Sequence, residues 1–365
     1  MIIESIKLDN FRNYKSLKLK FDKGTNIFYG DNAQGKTNVL ESIYLCGTTK
    51  SHKGSKDKEI IRFNKDESHI RMKIIKRGSP YKIDMHLRKN GTKGIAINGI
   101  PIRKASELFG IANFVFFSPE DMNIIKNGPG ERRRFMDLEL CQLNKIYLHN
   151  LSNYNKTVHQ RNKLLKDIYF HPEYKDMLDV WDEQMVSYGK FIIKERAAFI
   201  KRLNEIVYGI HDKLSGKKES MEVIYEYNVE ENSFADILKK NREKDIHFKM
   251  TGAGPHRDDL IFNIGNIDIR KYGSQGQQRT SALSLKLAEI ELVKKEIKDT
   301  PVLLLDDVLS ELDNSRQHHL LDSIGNIQTL ITCTGLDDFV QNRFQINRLF
   351  HVMNGVVKEV REAAE

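Results

Sequence analysis

The sequence predicts an α/β protein with two lobes, one built on a mixed or parallel sheet and the other mainly helical. Three observations support this prediction. A short apolar strand at 26–29 leads into a glycine-rich loop and then a helical pattern at 38–45. A second apolar strand, at 302–305, ends in two aspartates. In the segment 129–214 glycine is scarce and apolar residues recur every three or four positions, as in helices.

Chain length and charge set the outline of the molecule. The 365 residues exceed what a single core usually organises, so two packed lobes are expected. We place the sheet lobe at 1–125 and 275–365, and the helical lobe at 126–274. Lysine and arginine number 59 against 50 aspartates and glutamates, a net charge of +9. Such a surface is compatible with a polyanionic partner such as nucleic acid.

Cysteine usage and the hydropathy pattern bear on the compartment. The three cysteines, at 46, 141 and 333, form no C-x-x-C pair, so neither a zinc site nor a disulfide framework is indicated. A reducing cytoplasm is the simplest expectation. The start of the sequence lacks the charged and apolar regions of a signal peptide. No stretch approaches the roughly 20 apolar residues of a membrane span, so no membrane association is expected.

The phosphate-binding loop is the most specific motif, since residues 30–37 fit G-x-x-x-x-G-K-T. Glycines allow successive backbone N–H groups to surround an anion, and the following helix adds partial positive charge. Lys36 is expected to reach the β- and γ-phosphates, and the Thr37 hydroxyl to ligate Mg²⁺. The predicted nucleotide-binding residues are Gly30, Asp31, Asn32, Ala33, Gln34, Gly35, Lys36, Thr37 and Asn38.

The two aspartates after the second strand have separate predicted roles. Asp306 is expected to hold Mg²⁺ together with Thr37, directly or through water. Asp307 is expected to orient and deprotonate the attacking water. The predicted catalytic residues are therefore Lys36, Asp306 and Asp307. Directly after them comes the segment Ser310, Glu311, Leu312 and Asp313.

A second anion-binding arrangement precedes a predicted helix over about 277–298. Free N–H groups, a serine hydroxyl and a positive helix end all point the same way there. Its residues are Ser274, Gln275, Gly276, Gln277 and Gln278. Each motif is weak alone, but the order is specific: G-x-x-x-x-G-K-T, S-x-G-Q-Q, an apolar strand with D-D, then S-E-L-D.

This ordered set resembles the ABC-type ATPase head, in the branch shared with SMC proteins. The resemblance implies that 274–278 is the signature motif, which contacts the γ-phosphate of ATP bound to the other subunit. It also implies that 310–313 is the D-loop and that two heads enclose two ATP molecules in an isologous dimer.

Further stretches resemble the RecF family of bacterial recombination-repair proteins, and the resemblance covers essentially the whole chain. These stretches are 8–14, 117–121, 128–135 and 254–259. Membership implies ATP and DNA binding, ATP-induced dimerisation and a weak, DNA-dependent ATPase. It further implies work with RecO and RecR to place RecA on gapped DNA, in recombinational repair, replication restart and the SOS response.

The chain departs from the general ABC pattern at three places. Asp307 stands where most members carry glutamate, and its shorter side chain predicts slow hydrolysis. Thr334 stands roughly where a histidine usually senses the γ-phosphate. The glutamine of the Q-loop is not evident, and we expect a residue within 117–122 to replace it.

Two basic segments are candidates for DNA contact: the loop 50–58 and the first turn of the helix predicted after residue 129. Three successive arginines spread over roughly 200° of a helix, so they cannot all face one partner. At least one of them is expected to pack internally or to pair with Glu131. The candidate DNA contacts are Lys53, Lys56, Arg132, Arg133 and Arg134.

Other classes of protein remain open at this stage. A transporter's cytoplasmic ATPase subunit would share the phosphate loop and the signature. A small-molecule kinase needs the phosphate loop but neither 274–278 nor 310–313. A structural chromosome linker needs the sustained heptads of a coiled-coil arm, which the sequence lacks.

Overall fold

The computed structural model describes residues 1–335 and 346–360, with side chains except those of Ala105, Glu311 and Ser323. The chain divides into two compact units. The first comprises Met1–Asp121 and Glu289–Glu365, and the second comprises Met122–Ala288. The return to the first unit therefore falls inside a long helix rather than at its start, where the sequence analysis places the lobe boundary.

The strands of the described residues, in chain order, are β1 (Ile2–Phe11), β2 (Tyr14–Lys20), β3 (Thr25–Tyr29), β4 (Glu67–Lys76), β5 (Ser79–Arg88), β6 (Gly94–Ile97), β7 (Ile100–Pro101), β8 (Phe114–Phe117), β9 (Met221–Glu226), β10 (Asp259–Ile264), β11 (Ile267–Asp268), β12 (Val302–Asp306), β13 (Thr329–Cys333), β14 (Ile346–Met353) and β15 (Val356–Val360).

The α-helices are α1 (Lys36–Thr48), α2 (Asp57–Ile60), α3 (Met122–Lys126), α4 (Pro129–Leu143), α5 (Lys145–Ile168), α6 (Leu178–Leu214), α7 (Phe234–Lys240), α8 (Arg242–Phe248), α9 (Ile269–Tyr272), α10 (Gln275–Ile297) and α11 (Asn314–Ile324). Among the helices that the structure describes, none has the length and apolar character needed to cross a membrane.

The first unit contains two six-stranded sheets. One has the order β15-β14-β3-β13-β12-β8, and β14, β3, β13, β12 and β8 run parallel. All five residues of β12 are buried, as expected of a central parallel strand covered on both faces. Because parallel strands end at one edge of a sheet, the loops after β3, β12 and β13 meet there.

The second sheet of this unit is antiparallel, in the order β2-β1-β4-β5-β6-β7. Along β4 the side chains alternate, so that Ile70, Met72 and Ile74 are buried while His69 and Arg71 face outward. Helix α1 contacts strands of both sheets, including β4 and β12, and its apolar side chains are part of the same core.

Asn-Gly pairs, which favour two-residue hairpin turns, occur at 90–91 and 98–99, and the second of them forms such a turn. Asn98 and Gly99 form the two-residue turn between β6 and β7, with positive φ values of 54° and 83°. By contrast, Asn90-Gly91 lies in a longer loop between β5 and β6. The two-residue turn between β4 and β5 is instead Arg77-Gly78, also with positive φ at both positions. An arginine carries no turn signal, so the sequence pattern did not reveal it.

The second unit is mainly helical, as predicted for this part of the chain. Its longest elements, α5 and α6, pack against each other, and α6 also packs on β9. The strands β11, β10 and β9 form a small antiparallel sheet. After β9, the helices α7 and α8 follow each other closely and are separated by a turn at Asn241.

The stretch 254–259 contributes to a buried polar network in this second unit. Arg196 is fully buried, and its guanidinium donates to Asp258 Oδ2 at 3.0 Å and to Asp137 Oδ1 at 2.8 Å. Tyr154 lies 2.7 Å from His256 Nδ1, and His256 Nε2 lies 3.1 Å from the Thr251 carbonyl oxygen. These side chains form hydrogen bonds within the second unit, which supports a structural role for them.

Candidate nucleotide-binding site

The phosphate loop connects β3 to α1 in a conformation that only glycine can adopt at two positions. Gly30 has φ 143° and Gly35 has φ 115°, both in the left-handed half of conformational space. A Cβ atom on Gly30 would lie 2.3 Å from the Val352 carbonyl oxygen of β14. The loop is therefore pressed against a neighbouring strand, and its shape depends on these glycines.

Two hairpin turns brace the loop from outside. In the β1–β2 turn, Asn13 Nδ2 donates to the Gln34 carbonyl at 2.9 Å, and Tyr14 Oη donates to the Gly35 carbonyl at 2.9 Å. In the β14–β15 turn, the Asn354 amide donates to Gln34 Oε1 at 2.6 Å. Sequence reasoning did not identify these contacts, although Asn13 and Tyr14 lie in the stretch 8–14 that carries the RecF resemblance.

Lys36 is buried, with 6% of its surface exposed, and its ammonium group folds back onto the loop. Nζ donates to the carbonyl oxygens of Gly30 and Asp31, the latter at 2.8 Å. These contacts hold the charge at the loop, where a phosphate oxygen can replace a carbonyl as the acceptor.

Asp306, at the end of β12, joins the phosphate loop to the neighbouring strand β13. Thr37 Oγ1 donates to Asp306 Oδ1 at 2.7 Å, and Thr332 Oγ1 donates to the same oxygen at 2.7 Å. Mg²⁺ prefers oxygen ligands, and a hydroxyl and a carboxylate this close together can bind the same ion. The residues present therefore fit a magnesium ion held by Thr37 and Asp306, as the sequence predicts.

Asp307 occupies a strained backbone position, with φ 54°. Its amide donates to the Thr332 carbonyl at 3.1 Å and to Thr332 Oγ1 at 3.0 Å. Thr332 therefore positions both aspartates, a role that the sequence analysis did not assign. Thr334, which was expected near the histidine position, is exposed two residues further on.

A cavity of about 230 Å³ opens over these groups. It is lined by Asn32, Ala33, Gly35, Lys36, Thr37, Asn38, Lys53, Asp307 and Thr332. Lys53 was expected to contact DNA, but the structure places it on the same cavity as Lys36. A second cation at this position would suit a phosphate chain, and contact of Lys53 with DNA stays a prediction. Lys56, three residues later, is exposed and does not line the cavity.

Arg12, in the turn between β1 and β2, forms hydrogen bonds with a glutamate of α1 and with a serine. Its Nε and Nη2 atoms donate to the two oxygens of Glu41 at 2.8 and 2.7 Å, and Nη2 also donates to Ser55 Oγ at 2.7 Å. The Glu41 carboxylate is fully buried. Burial raises its pKa, but the hydrogen bonds from Arg12 and Ser51, together with the charges of Arg12 and His52, lower it overall.

The serine of the predicted signature motif is exposed at the start of α10. Ser274 Oγ accepts from the Gln277 amide at 3.2 Å, and Gln277 Oε1 accepts from the Ser274 amide at 2.9 Å. This reciprocal pair is a capping box, which fixes the turn. Gln275 and Gly276 are also exposed, so Ser274 and its neighbours are accessible from solvent.

The last residue of the predicted signature has a structural role instead. Gln278 is buried, with 8% of its surface exposed, and Nε2 donates to the Ile269 carbonyl at 2.9 Å. Its side chain joins the start of α10 to α9 and is buried, so it is not available to touch a nucleotide. The sequence pattern does not predict this burial, because glutamine is mostly an exposed residue.

The predicted D-loop follows Asp307 in a short 3-10 turn, Leu309–Glu311. Ser310 is exposed, and its Oγ donates to the Asp307 carbonyl at 2.8 Å. Asp313 caps α11 by accepting from the Arg316 amide at 2.9 Å. Leu312 is half-buried, and the side chain of Glu311 lies outside the described part of the chain.

The arginine cluster in α4 has three different environments, as the helical spacing implied. Arg132 is buried, with 4% exposed; its Nε lies 2.5 Å from Asp259 Oδ1, so it is not available to DNA. Arg133 is half-buried and donates to the Asp258 carbonyl at 2.7 Å. Arg134 is exposed, 3.9 Å from Glu131, and remains a candidate contact.

Comparison with known proteins decides the family. Residues 2–358 match the model of the RecF/RecN/SMC N-terminal domain. The DNA replication and repair protein RecF of Agathobacter rectalis is 63% identical over 362 residues, covering 99% of this chain and 100% of that relative. The chain belongs to the RecF family. RecF of Lachnospira eligens is likewise 63% identical, over 359 residues that cover 98% of this chain and 99% of the relative.

Solved structures agree with the sequence matches. A structure described as the recombination mediator protein RecF-ATP in the RecFOR pathway aligns with a TM-score of 0.90 and 35% identity, covering 98% of this chain and 97% of that chain. An Smc head bound to the C-winged helix domain of ScpA aligns over 99% of this chain and 97% of that chain, with a TM-score of 0.57. At 16% identity the Smc match shows the fold alone.

The predicted fold, an ABC-type ATPase head of the SMC-like branch, is thereby confirmed. RecF relatives with nearly full coverage are DNA replication and repair proteins, so the transporter alternative is not favoured.

Proposed function

We propose that this member of the RecF family is an ATP-dependent DNA-binding repair protein whose weak ATPase limits its time on DNA. One observation carries the proposal. The Thr37 hydroxyl and the Asp306 carboxylate, 2.7 Å apart, join the phosphate loop to the carboxylate strand beside a polar cavity that Lys36 and Lys53 also line. This combination of donors, cations and oxygen ligands suits a triphosphate.

Different residues of the chain would bind the triphosphate and hydrolyse it. The amides of the 30–37 loop and the N-terminus of α1 would bind the phosphates, while Lys36 and Lys53 neutralise their charge. Mg²⁺ held by Thr37 and Asp306 would supply further neutralisation of the β- and γ-oxygens. Asp307, anchored to Thr332, would orient the attacking water and accept its proton.

Dimerisation would complete the site. The exposed turn at Ser274 presents a hydroxyl and free helix amides to solvent, which suits contact with a γ-phosphate on a second copy of the chain. The interface would be isologous, with each nucleotide held by Lys36 of one protomer and Ser274 of its partner. ATP then favours the dimer, and hydrolysis removes the link between the copies.

DNA binding by this dimer is supported by the names of its relatives and by the net charge of +9. Exposed cations such as Lys56 and Arg134 remain the candidate contacts. The structural relative is placed in the RecFOR pathway, so we propose that this chain also acts with RecO and RecR to help load RecA at gaps, in repair, replication restart and the SOS response.

A salt titration of DNA binding, with and without ATP, tests this function. The slope of log affinity against log salt counts the phosphates engaged. We expect ATP to strengthen binding and to steepen the slope, because two copies then contact the DNA. Lys36→Arg should lose the effect of ATP while keeping the weaker, ATP-independent binding. Identical slopes and affinities with and without ATP in the wild-type protein would contradict gating.

A further inference from the structure

Two histidines and a glutamate meet on the outward face of the antiparallel sheet, away from the phosphate loop in sequence. His69 of β4 and His86 of β5 are paired directly across the strands, with ring centroids 4.0 Å apart and an interplanar angle of 18°. Glu67 precedes His69 by two residues and so lies on the same face. Its Oε2 lies 3.0 Å from His86 Nε2 and 3.9 Å from His69 Nε2.

This pair differs from its neighbour on the same ladder. One step along, Arg71 faces Asp84, and the two form an ion pair with Nε 2.5 Å from Oδ1. His69 and His86, in the equivalent paired position, cannot form an ion pair with each other, because two protonated imidazoles would repel.

We propose that Glu67, His69 and His86 form a binding site for a borderline transition-metal ion, best satisfied by Zn²⁺. One ligand atom from each residue lies within 4.8 Å of the other two, so small side-chain movements would bring all three onto one ion. Two imidazoles and one carboxylate are a set that zinc accepts at about 2.0–2.2 Å per ligand. Imidazole ligands disfavour Mg²⁺, which separates this site from that of Thr37 and Asp306.

Three protein ligands leave one coordination position open, and the structure provides space for it. The two histidines line a groove of about 400 Å³, which also contains Asp9, Arg71 and Asp84. A water molecule or an anionic oxygen entering from this groove can fill the fourth position. The site is therefore of the open type, able to hold an exchangeable ligand, rather than the closed four-ligand type that stabilises small folds.

Arg88 lies beside His86 and provides a further variant that tests the metal site. Its Nη2 lies 3.3 Å from His86 Nδ1 and so competes with the arrangement that a metal requires. A metal at Nε2 leaves the proton on Nδ1, and the Arg88 guanidinium must then turn away into solvent, which its exposed position allows. Arg88→Gln removes a nearby positive charge and this competition, and it is expected to strengthen metal binding several-fold.

The test is titration of the purified full-length protein with Zn²⁺ against a chromophoric chelator, in buffer containing excess Mg²⁺. We expect one site of micromolar or tighter affinity. His69→Gln and His86→Gln should each weaken it at least about tenfold, in line with the sensitivity of metal sites to lost partners. The control His149→Gln removes an exposed imidazole of α5 and should change nothing.

A labelling experiment on the wild-type protein covers the case in which a variant fails to fold. Zn²⁺ should protect His69 and His86 from acylation by diethyl pyrocarbonate, as mapped by mass spectrometry, while His149 stays reactive. The proposal is overturned if wild-type protein shows no micromolar site, if His69→Gln and His86→Gln bind Zn²⁺ as tightly as wild type, or if Zn²⁺ protects His149 equally.

Discussion

The Thr332 hydroxyl of β13 donates a 2.7 Å hydrogen bond to Asp306 Oδ1 of β12 and accepts one of 3.0 Å from the amide of Asp307. A single buried hydroxyl thus fixes the expected magnesium ligand and the expected base relative to each other. Since Thr37 Oγ1 donates to the same carboxylate oxygen, Thr332 also influences the start of α1. We therefore expect the geometry of hydrolysis to depend on this residue as well as on the aspartates.

Thr332→Val is expected to slow ATP hydrolysis about 10–100-fold, because Asp306 loses the partner that orients it. The fold should lose about 1–3 kcal/mol of stability, since the Asp307 amide loses one acceptor and the carboxylate one donor. Steady-state hydrolysis and urea unfolding measure the two effects. The matched control is Thr329→Val at the other end of β13, whose hydroxyl donates only to the Ile327 carbonyl at 3.0 Å. It should lose stability and keep its hydrolysis rate; equal hydrolysis by both variants would contradict the assignment.

Asp307→Asn is expected to bind ATP normally and to hydrolyse it roughly 10²–10⁴ times more slowly, as for loss of a general base. The trapped ATP state should prolong the lifetime of the complex on DNA. Single-turnover hydrolysis and DNA dissociation kinetics measure these effects. Asp322→Asn, which removes an exposed carboxylate of α11, is the control for the change in charge. Unchanged turnover in Asp307→Asn would remove Asp307 as the base.

Lys53→Ala is expected to weaken ATP binding about tenfold to a hundredfold, the usual contribution of a charge-assisted contact of about 1.5–3 kcal/mol. Lys56→Ala removes the same charge from the same loop but away from the cavity, and should change ATP affinity less than about twofold. Equilibrium binding of a fluorescent ATP analogue distinguishes them. If Lys56→Ala produced the larger loss, the assignment of Lys53 to the nucleotide would be wrong.

His256 predicts a pH-dependent stability of the helical unit. The Thr251 carbonyl can only accept, so Nε2 carries the proton and Nδ1 accepts from the Tyr154 hydroxyl. Burial lowers the pKa of His256 to about 4, from 6.5 when unfolded. Between these values the unfolded chain binds more protons, so stability falls with falling pH. This one group should cost about 2 kcal/mol between pH 7 and pH 5.

The measurement is the free energy of unfolding of wild type and His256→Gln across that pH range. The variant should start less stable at pH 7, having lost a buried hydrogen-bonded ring, and should show a flatter pH dependence. His149→Gln, in which an exposed histidine is replaced, should retain the wild-type slope. Parallel curves for wild type and His256→Gln would show that His256 does not titrate in this way.

Local sequence signals were sufficient for much of the fold and of the nucleotide site. The spacing of glycines and Lys36 in 30–37, and the two aspartates after an apolar strand, specify their own backbone and chemistry over a few residues. The α/β class and the family follow from the order of such segments. These features are readable because each depends on neighbours in the chain.

Contacts between distant residues account for what the sequence did not show. Thr332 reaches Asp306 because β12 and β13 are adjacent in the sheet, 26 positions apart in sequence. Arg132 is buried because its partner Asp259 lies 127 positions away. Neither residue type carries information about such a partner, so a basic helical turn looks like a DNA surface until the fold is known.

Ser274→Arg is the variant on which the proposal of an ATP-linked dimer depends. Because Ser274 also caps α10 through Gln277, the substitution is expected to cost about 1 kcal/mol of stability. Asn144→Ala provides a matched control for that loss. Asn144 caps α5 in the same unit by accepting from the amides of Ile146 and Tyr147, and it belongs to no predicted ATP contact. A difference in ATP-dependent dimerisation between the two variants is then due to the signature turn and not to the lost helix cap.

The most direct measurement is the molecular mass in solution by light scattering, with Mg²⁺ and ATP, for wild type, Ser274→Arg and Asn144→Ala. We predict that ATP converts wild type and Asn144→Ala from monomer to dimer, while Ser274→Arg binds ATP with unchanged affinity and stays monomeric. An ATP-dependent dimer that persists in Ser274→Arg, or a wild-type mass that ATP does not change, would contradict the account.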